Sequence, residues 1–186
     1  MKVSQQIVGV NQRLGNTAVP NMQGTTRVIF DSIAHAGTAT DFNLQFFSGV
    51  SSRTYPATNL SSNRFEVGES LAIQGFAIMS RTTEGIADQN FQVPSNLTTG
   101  ILNFYIGNQR VVKDLEILGY SRFQIGESIS EAQQPAVFRL ETPIVIPPQI
   151  EYYATVRIGA LSSQAGTTIT LVAFGTGTLL NTKSNY

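Results

Sequence analysis

Residues 150–159 read IEYYATVRIG, and the fold turns on how that stretch alternates. Ile150, Tyr152, Ala154, Val156 and Ile158 fall on one side of an extended chain, with Glu151, Tyr153, Thr155 and Arg157 on the other. Period two with one apolar side marks a strand that buries a single face. The same alternation continues outward from it. Phe42, Leu44 and Phe46 share a side in FNLQF, Leu102, Phe104 and Ile106 in LNFYI, and Ile169, Leu171 and Ala173 in TTITLVAF. In AVFRLET, Phe138 and Leu140 oppose Arg139 and Glu141. VIF at 28–30 and the apolar run LAIQGFAIM at 71–79 add two more, with Gly75 marking a bulge in the second. Counting RFEV at 64–67 and RFQI at 122–125 as strands or strand ends brings the total to eight to ten.

Helical signals are sparse. Val111, Leu115 and Leu118 in VVKDLEIL are spaced for two helical turns, and SISEAQQ at 128–134 offers a single turn capped by Ser128 with Glu131 three residues on. Residues 81–99, RTTEGIADQNFQVPSNLTT, form a polar loop longer than a hairpin needs, which makes it a candidate for contact with a partner. Pro143, Pro147 and Pro148 fall near strand ends, where a missing N–H does least harm. Many short strands, long connections and little helix predict an all-β chain, an antiparallel β-sandwich in the form of a single jelly roll. An immunoglobulin-like sandwich ranks second, since it needs only ~100 residues.

The first aromatic residue is Phe30, and residues 1–26 contain no acid. The sequence therefore divides into a flexible arm at 1–26, a sandwich domain at 27–180 and a short polar tail at 181–186. Charged residues make up 13% of the chain, about half the usual ~25%, and Asn, Gln, Ser and Thr fill 61 of the 186 positions. The surface is thus expected to be polar but mostly uncharged. A net charge of zero gives no basic field to collect phosphates, so neither strong nucleic-acid binding nor attraction to anionic lipid is expected. No run approaches the ~20 apolar residues of a membrane-spanning helix, and MKVSQQIVGVNQ lacks the apolar core of a signal peptide, which predicts a soluble chain used without export.

The chain contains no cysteine and one histidine, His35, which excludes disulfides and thiolate metal sites and leaves no second imidazole for zinc. His35 reads as a spacer in a small-residue loop. Asp88 and Asn90 lack the further carboxylates of a calcium site, and GTGT at 175–178 lacks the strand-Gly-helix context of a phosphate loop. No metal, cofactor or catalytic group is assigned.

One phrase occurs twice. RFEVGESL at 64–71 returns as RFQIGESI at 122–129, and at the same offset of 58 residues LQFFSG at 44–49 returns as LNFYIG at 102–107. Fourteen residues separate the two halves of each copy. The pair Glu69 and Glu127 invites a glycosidase reading, but identical Gly-Glu-Ser surroundings do not supply the contrasting environments that an acid and a base require. The structural reading is preferred: Phe65, Val67, Phe123 and Ile125 in the core, Gly68 and Gly126 at turns, and Arg64, Glu69, Arg122 and Glu127 as local or intersubunit ties. Matching halves suit a jelly roll, which is built from two Greek keys.

Phe47, Tyr105 and Tyr153 fall on the outward phase of their strands. Such a face, on a chain so poor in charge, is expected to be covered by another protein. Together with the phrases FFSGVSSRTYPATNL at 46–60 and RFEVGESLAIQGF at 64–76, the neutral arm and sandwich-sized body resemble single jelly-roll capsid proteins of icosahedral bacteriophages. The resemblance implies a non-enzymatic virion protein, assembled in the host cytoplasm into a shell with copies of itself and other virion proteins. It carries no functional residues across, and the absence of a basic arm departs from capsid proteins that bind genome directly. Arg64, Glu69, Arg122, Glu127, Phe47, Tyr105 and Tyr153 are the candidate subunit contacts. Two alternatives stand beside this reading: a phage fibre, spike or receptor-binding domain using the 81–99 loop, and a carbohydrate-binding module using Tyr55, Tyr105 and Tyr153.

Overall fold

The computed structural model describes residues 22–35, 42–82, 100–117, 136–158 and 167–180. Eight strands follow one another: β1 (Met22–His35), β2 (Phe42–Phe46), β3 (Ser70–Thr82), β4 (Ile101–Ile106), β5 (Gln109–Glu116), β6 (Ala136–Ile146), β7 (Tyr152–Ile158) and β8 (Thr167–Leu180). One 3-10 turn, Val50–Ser52, lies between β2 and β3. Antiparallel pairing of β1 with β8, β2 with β7, β3 with β6 and β4 with β5 makes the chain one long folded hairpin. Its rolling gives two four-stranded sheets, β1-β8-β3-β6 and β2-β7-β4-β5. A chain wound in this way is a jelly roll.

Alternation places the core where the sequence pattern put it. In β7, Tyr152, Ala154 and Val156 are buried, while Tyr153 and Thr155 are half-buried and Arg157 is exposed. Leu44, Phe46, Leu102 and Phe104 join them from the same sheet, and Ile29, Leu71, Ile73, Phe76, Ile78, Phe138, Ile169 and Leu171 face them from the other. Phe76 meets Phe104 between the sheets with ring centroids 5.4 Å apart. Aromatic pairs of this kind add about 0.5–1.5 kcal/mol beyond the apolar area that they bury. At Gly75 the β3 register shifts against both β6 and β8, which is the expected bulge.

The internal repeat acquires a spatial meaning here. β2 and β4 lie on the two sides of β7 in the same register: Leu44 and Leu102 both pair with Val156, Gln45 and Asn103 with Thr155, and Phe46 and Phe104 with Ala154. The glycines that end the two copies, Gly49 and Gly107, both hold the left-handed backbone, at φ 60° and 56°. Glycine reaches that region without the steric penalty other residues meet.

Four expectations are corrected. VVKDLEIL is not helical: Gln109–Glu116 is strand β5, joined to β4 by the two-residue turn Gly107-Asn108. The ladder to β4 outweighs a 3.6-residue spacing only two turns long, and extra residues in β5, at the register shifts and at the φ 51° of Asp114, disguise its period of two. RFEV is not a strand. Phe65 is buried as expected, but Val67 is 54% exposed, because Glu66 to Glu69 close a turn with Gly68 at φ 85° in its third position. Phe47 does not face outward; it is wholly buried at φ 64°, since the chain turns inward where β2 ends. The sandwich begins earlier than residue 27, with β1 paired to β8 from Met22 onward. Arg122, Phe123, Ile125, Glu127, the 128–134 turn, Asp88, Asn90 and most of the 81–99 loop lie outside the described residues.

Candidate interaction surfaces

The Gly-Glu-Ser turn after the first RF segment ties strands of one subunit together. Arg27, on the inner side of β1, donates to Glu69 Oε2 at 2.9 Å and lies over the Phe65 ring at 4.4 Å from its centroid. Its aliphatic stem needs Gly177 diagonally across on β8, because a Cβ there would stand 2.9 Å from Arg27 Cβ. Gly175 is similarly required, since its Cβ would overlap the carbonyl of Ala72. The GTGT motif is therefore a close-packing device in β8. Arg64 points elsewhere and pairs with the Glu151 carboxylate, both side chains being more than half exposed. Such an exposed pair contributes about 0–1 kcal/mol. Both ties are made within the chain.

Sequence reading missed a buried polar clasp. Asp31 sits on the inner side of β1 at 0% exposure, and its Oδ2 accepts from the Phe47 amide at 2.6 Å and from Arg53 Nη2 at 2.8 Å. Arg53 Nη2 also donates to the Ser48 carbonyl. Burial raises the Asp31 carboxyl above its ordinary value, against the pull of the Phe47 amide and the Arg53 charge. The only hint in the sequence is an acid in a position of apolar phase, between Ile29 and Ile33. Close by, the Tyr152 hydroxyl is buried without a hydrogen-bond partner among the described residues, and burial holds its ionisation well above the phenol range. Its ring packs on Phe47 and Phe65, at centroid distances of 6.0 and 5.1 Å, so this phenol serves the core through its ring.

The sheet edges are blunted against strand addition. Beside β1, Ala57 and Asn59 occupy edge groups: the Ala57 carbonyl takes the Ser32 amide, Asn59 Oδ1 takes the Phe30 amide and Asn59 Nδ2 reaches the Val28 carbonyl. β6 pairs through Arg139 and again from Ile144, leaving Pro143 in the gap, and β2 is five residues long. β5 carries two register shifts and the exposed Lys113, Asp114 and Glu116.

Among the described residues, what remains open is the two outer faces. On β2-β7-β4-β5, Tyr105 and Tyr153 stand opposite each other and stack at 4.6 Å with 6° between their planes, half-buried and outward as expected. Asn103 accepts the Asp114 amide at 2.9 Å and so holds the bulge of β5 beside them. Tyr55, at 80% exposure, lies on the loop after the 3-10 turn, away from these strands in sequence.

On β1-β8-β3-β6 the outer face is apolar through its middle. Phe30, Val172, Ala77 and Val137 form one row across all four strands, and Val28, Phe174 and Gly75 the next, ending at Arg139. Val28 and Val137 are 45% and 44% exposed. Hydrogen-bonded polar pairs close the band at both ends: Ser32 with Thr170 at 2.8 Å, and Gln74 with Thr176 at 3.2 Å. The signal for this face was present in LVAF, where consecutive residues of both phases are apolar.

Among the described residues no three His, Cys, Asp or Glu side chains gather in a way that could hold a metal ion, and no helix is long and apolar enough to cross a membrane. Comparison of the chain with protein-family models, curated proteins and solved structures returned no match.

Proposed function

We propose that the chain is a structural virion protein, a self-assembling subunit of an icosahedral phage capsid shell that acts with copies of itself and other virion proteins. One observation carries this reading: a jelly roll with blunted edges presents an apolar, nearly uncharged band on the solvent side of a sheet. A face of that kind, in a chain with 13% charged residues, is a liability for an isolated molecule and a resource for an assembling one. Zero net charge gives genome contact no electrostatic driving force, so the proposed shell is held by protein contacts.

The test is negative-stain microscopy and light scattering of the purified full chain over a range of concentrations. Closed particles are expected. Deletion of residues 1–21 is expected to keep the fold, because β1 pairs with β8 from Met22, and to weaken assembly. A chain that stays monomeric at every concentration overturns the proposal; a trimer that builds no shell transfers it to a fibre or spike.

A further inference from the structure

We infer that the outer face of the β1-β8-β3-β6 sheet is a self-complementary contact surface, and that its partner is the same face of a second copy. The inference deepens the reading of the chain as an assembling subunit and rests on it.

Four features of the face select that occupant. The first is its architecture, an apolar centre with a polar border whose groups already satisfy one another, Ser32 with Thr170 and Gln74 with Thr176. Interfaces are organised in this way, with a dry middle and a polar rim. The second is charge. Among the outward-facing residues in ladder register from row 26 to row 32, Arg139 is the one charged side chain, at the sheet's edge. A charged partner finds nothing to complement there, and a like face meets no repulsion across its centre.

The third is shape. β8 raises a ridge with Val172 and Phe174, whereas its neighbour β3 offers only Ala72 and Ala77 on the same side, all in matched register. The Phe174 ring leans over Gly75 of β3, where a Cβ would meet it at 2.5 Å, so the trough lies along the Ala77 row beside Val172. The sheet order places ridge and trough on either side of the centre line. Turning a second copy over about an axis along the strands seats each ridge over the other's trough, and β1 over β6. This is an isologous contact, in which one patch serves both partners.

The fourth is size. Four strands about 4.8 Å apart, over four rows about 7 Å apart, give a face of roughly 300–540 Å². A standard interface uses about 800 Å² from each partner. The face is thus too small for a tight free-standing dimer and suited to a contact repeated through an assembly, where many such joints act together.

The chain has no cysteine, so introduced ones report cleanly. Full-length Phe30→Cys and Val137→Cys, which share a row and meet when β1 lies over β6, are mixed with a short bis-maleimide that spans the ~10 Å between stacked sheets, and assembly of the wild type is compared with that of Val172→Lys by light scattering and microscopy. The expected result is a mixed Phe30→Cys/Val137→Cys cross-linked dimer, and a loss of roughly tenfold or more in the assembled fraction of Val172→Lys, because the contact buries an unpaired charge. Circular dichroism should be unchanged in that variant. If Val172→Lys assembles like the wild type and no mixed cross-link forms, the face is not the contact, while the shell reading stands on the wild-type particles. If the wild type builds no particles but the mixed cross-link forms, the face is upheld and the shell reading falls. If neither appears, both fall. Should Val172→Lys not fold, the cysteine pair decides alone, and self-linking of Phe30→Cys in preference to the mixed pair overturns the ridge-over-trough arrangement.

Discussion

β2 and β4 begin alike and end differently, and the point at which they part separates what a strand pattern controls from what its surroundings control. Both flank β7, both set a leucine against Val156 and both set a phenylalanine against Ala154. At the next position β4 continues as a strand, so Tyr105 stays outside and stacks on Tyr153. β2 has ended, and Phe47 turns inward to a buried place between Phe104 and Tyr152 while its amide meets Asp31. The difference lies in the neighbours. β4 runs on into the hairpin with β5, whereas the end of β2 is drawn toward β1 by a buried carboxylate and by Arg53.

Three measurements sharpen or break this comparison. The largest effect is expected at the shared position. Phe104 touches the rings of Phe47, Phe76 and Tyr152, so Phe104→Ala should cost about 3–5 kcal/mol in chemical denaturation. A loss below about 1 kcal/mol would mean that the repeat strands do not organise the core.

Next comes the clasp that makes β2 different. Asp31→Ala leaves the Phe47 amide and Arg53 without their buried acceptor and should cost about 2–4 kcal/mol. Asp31→Asn keeps an acceptor and removes the buried charge, so it should cost less. The pH dependence follows from the raised carboxyl. Between the ordinary value of 3.8 and its raised value, folded Asp31 holds a proton that the unfolded chain has released. Its contribution to stability is therefore full below that window, is lost as pH rises through it and is constant above it. Denaturation midpoints of the wild type relative to Asp31→Asn should fall with rising pH across the window. A rise would show that the Arg53 pairing outweighs burial.

The smallest effect belongs to the outward end of β4. Tyr105→Ala removes one cross-strand aromatic pair on the surface and should cost about 0.5–1.5 kcal/mol. An equal cost for Phe47→Ala would erase the distinction between the two copies, since Phe47 lies wholly inside.

Much of the architecture was legible in the letters. FNLQF is β2 to the residue, LNFYI fills β4 from Leu102, and IEYYATVRIG and TTITLVAF lie at β7 and β8 with their core sides as assigned. The bulge at Gly75 was readable because glycine within an apolar strand run has few other uses. The candidate contacts were less legible. Glu69 and Arg64 read as possible partners, yet each found a closer one, Arg27 and Glu151, from strand regions distant in sequence. Phe47 was placed by alternation, and alternation fails at the residue where a strand stops.

By itself the sequence determined the strand period, the inward side of most strands, the low charge and the internal repeat, because each is a local property of the order of residues. Tertiary structure alone decided that β2 and β4 would share β7, that Asp31 would be buried at the end of β2, and that Phe30, Val172, Ala77 and Val137 would line up across four strands. Those relations join residues as much as 142 positions apart, as Phe30 and Val172 are in the row that continues through Ala77 to Val137. Only the order of strands in the sheets brings such residues together, and packing sets that order.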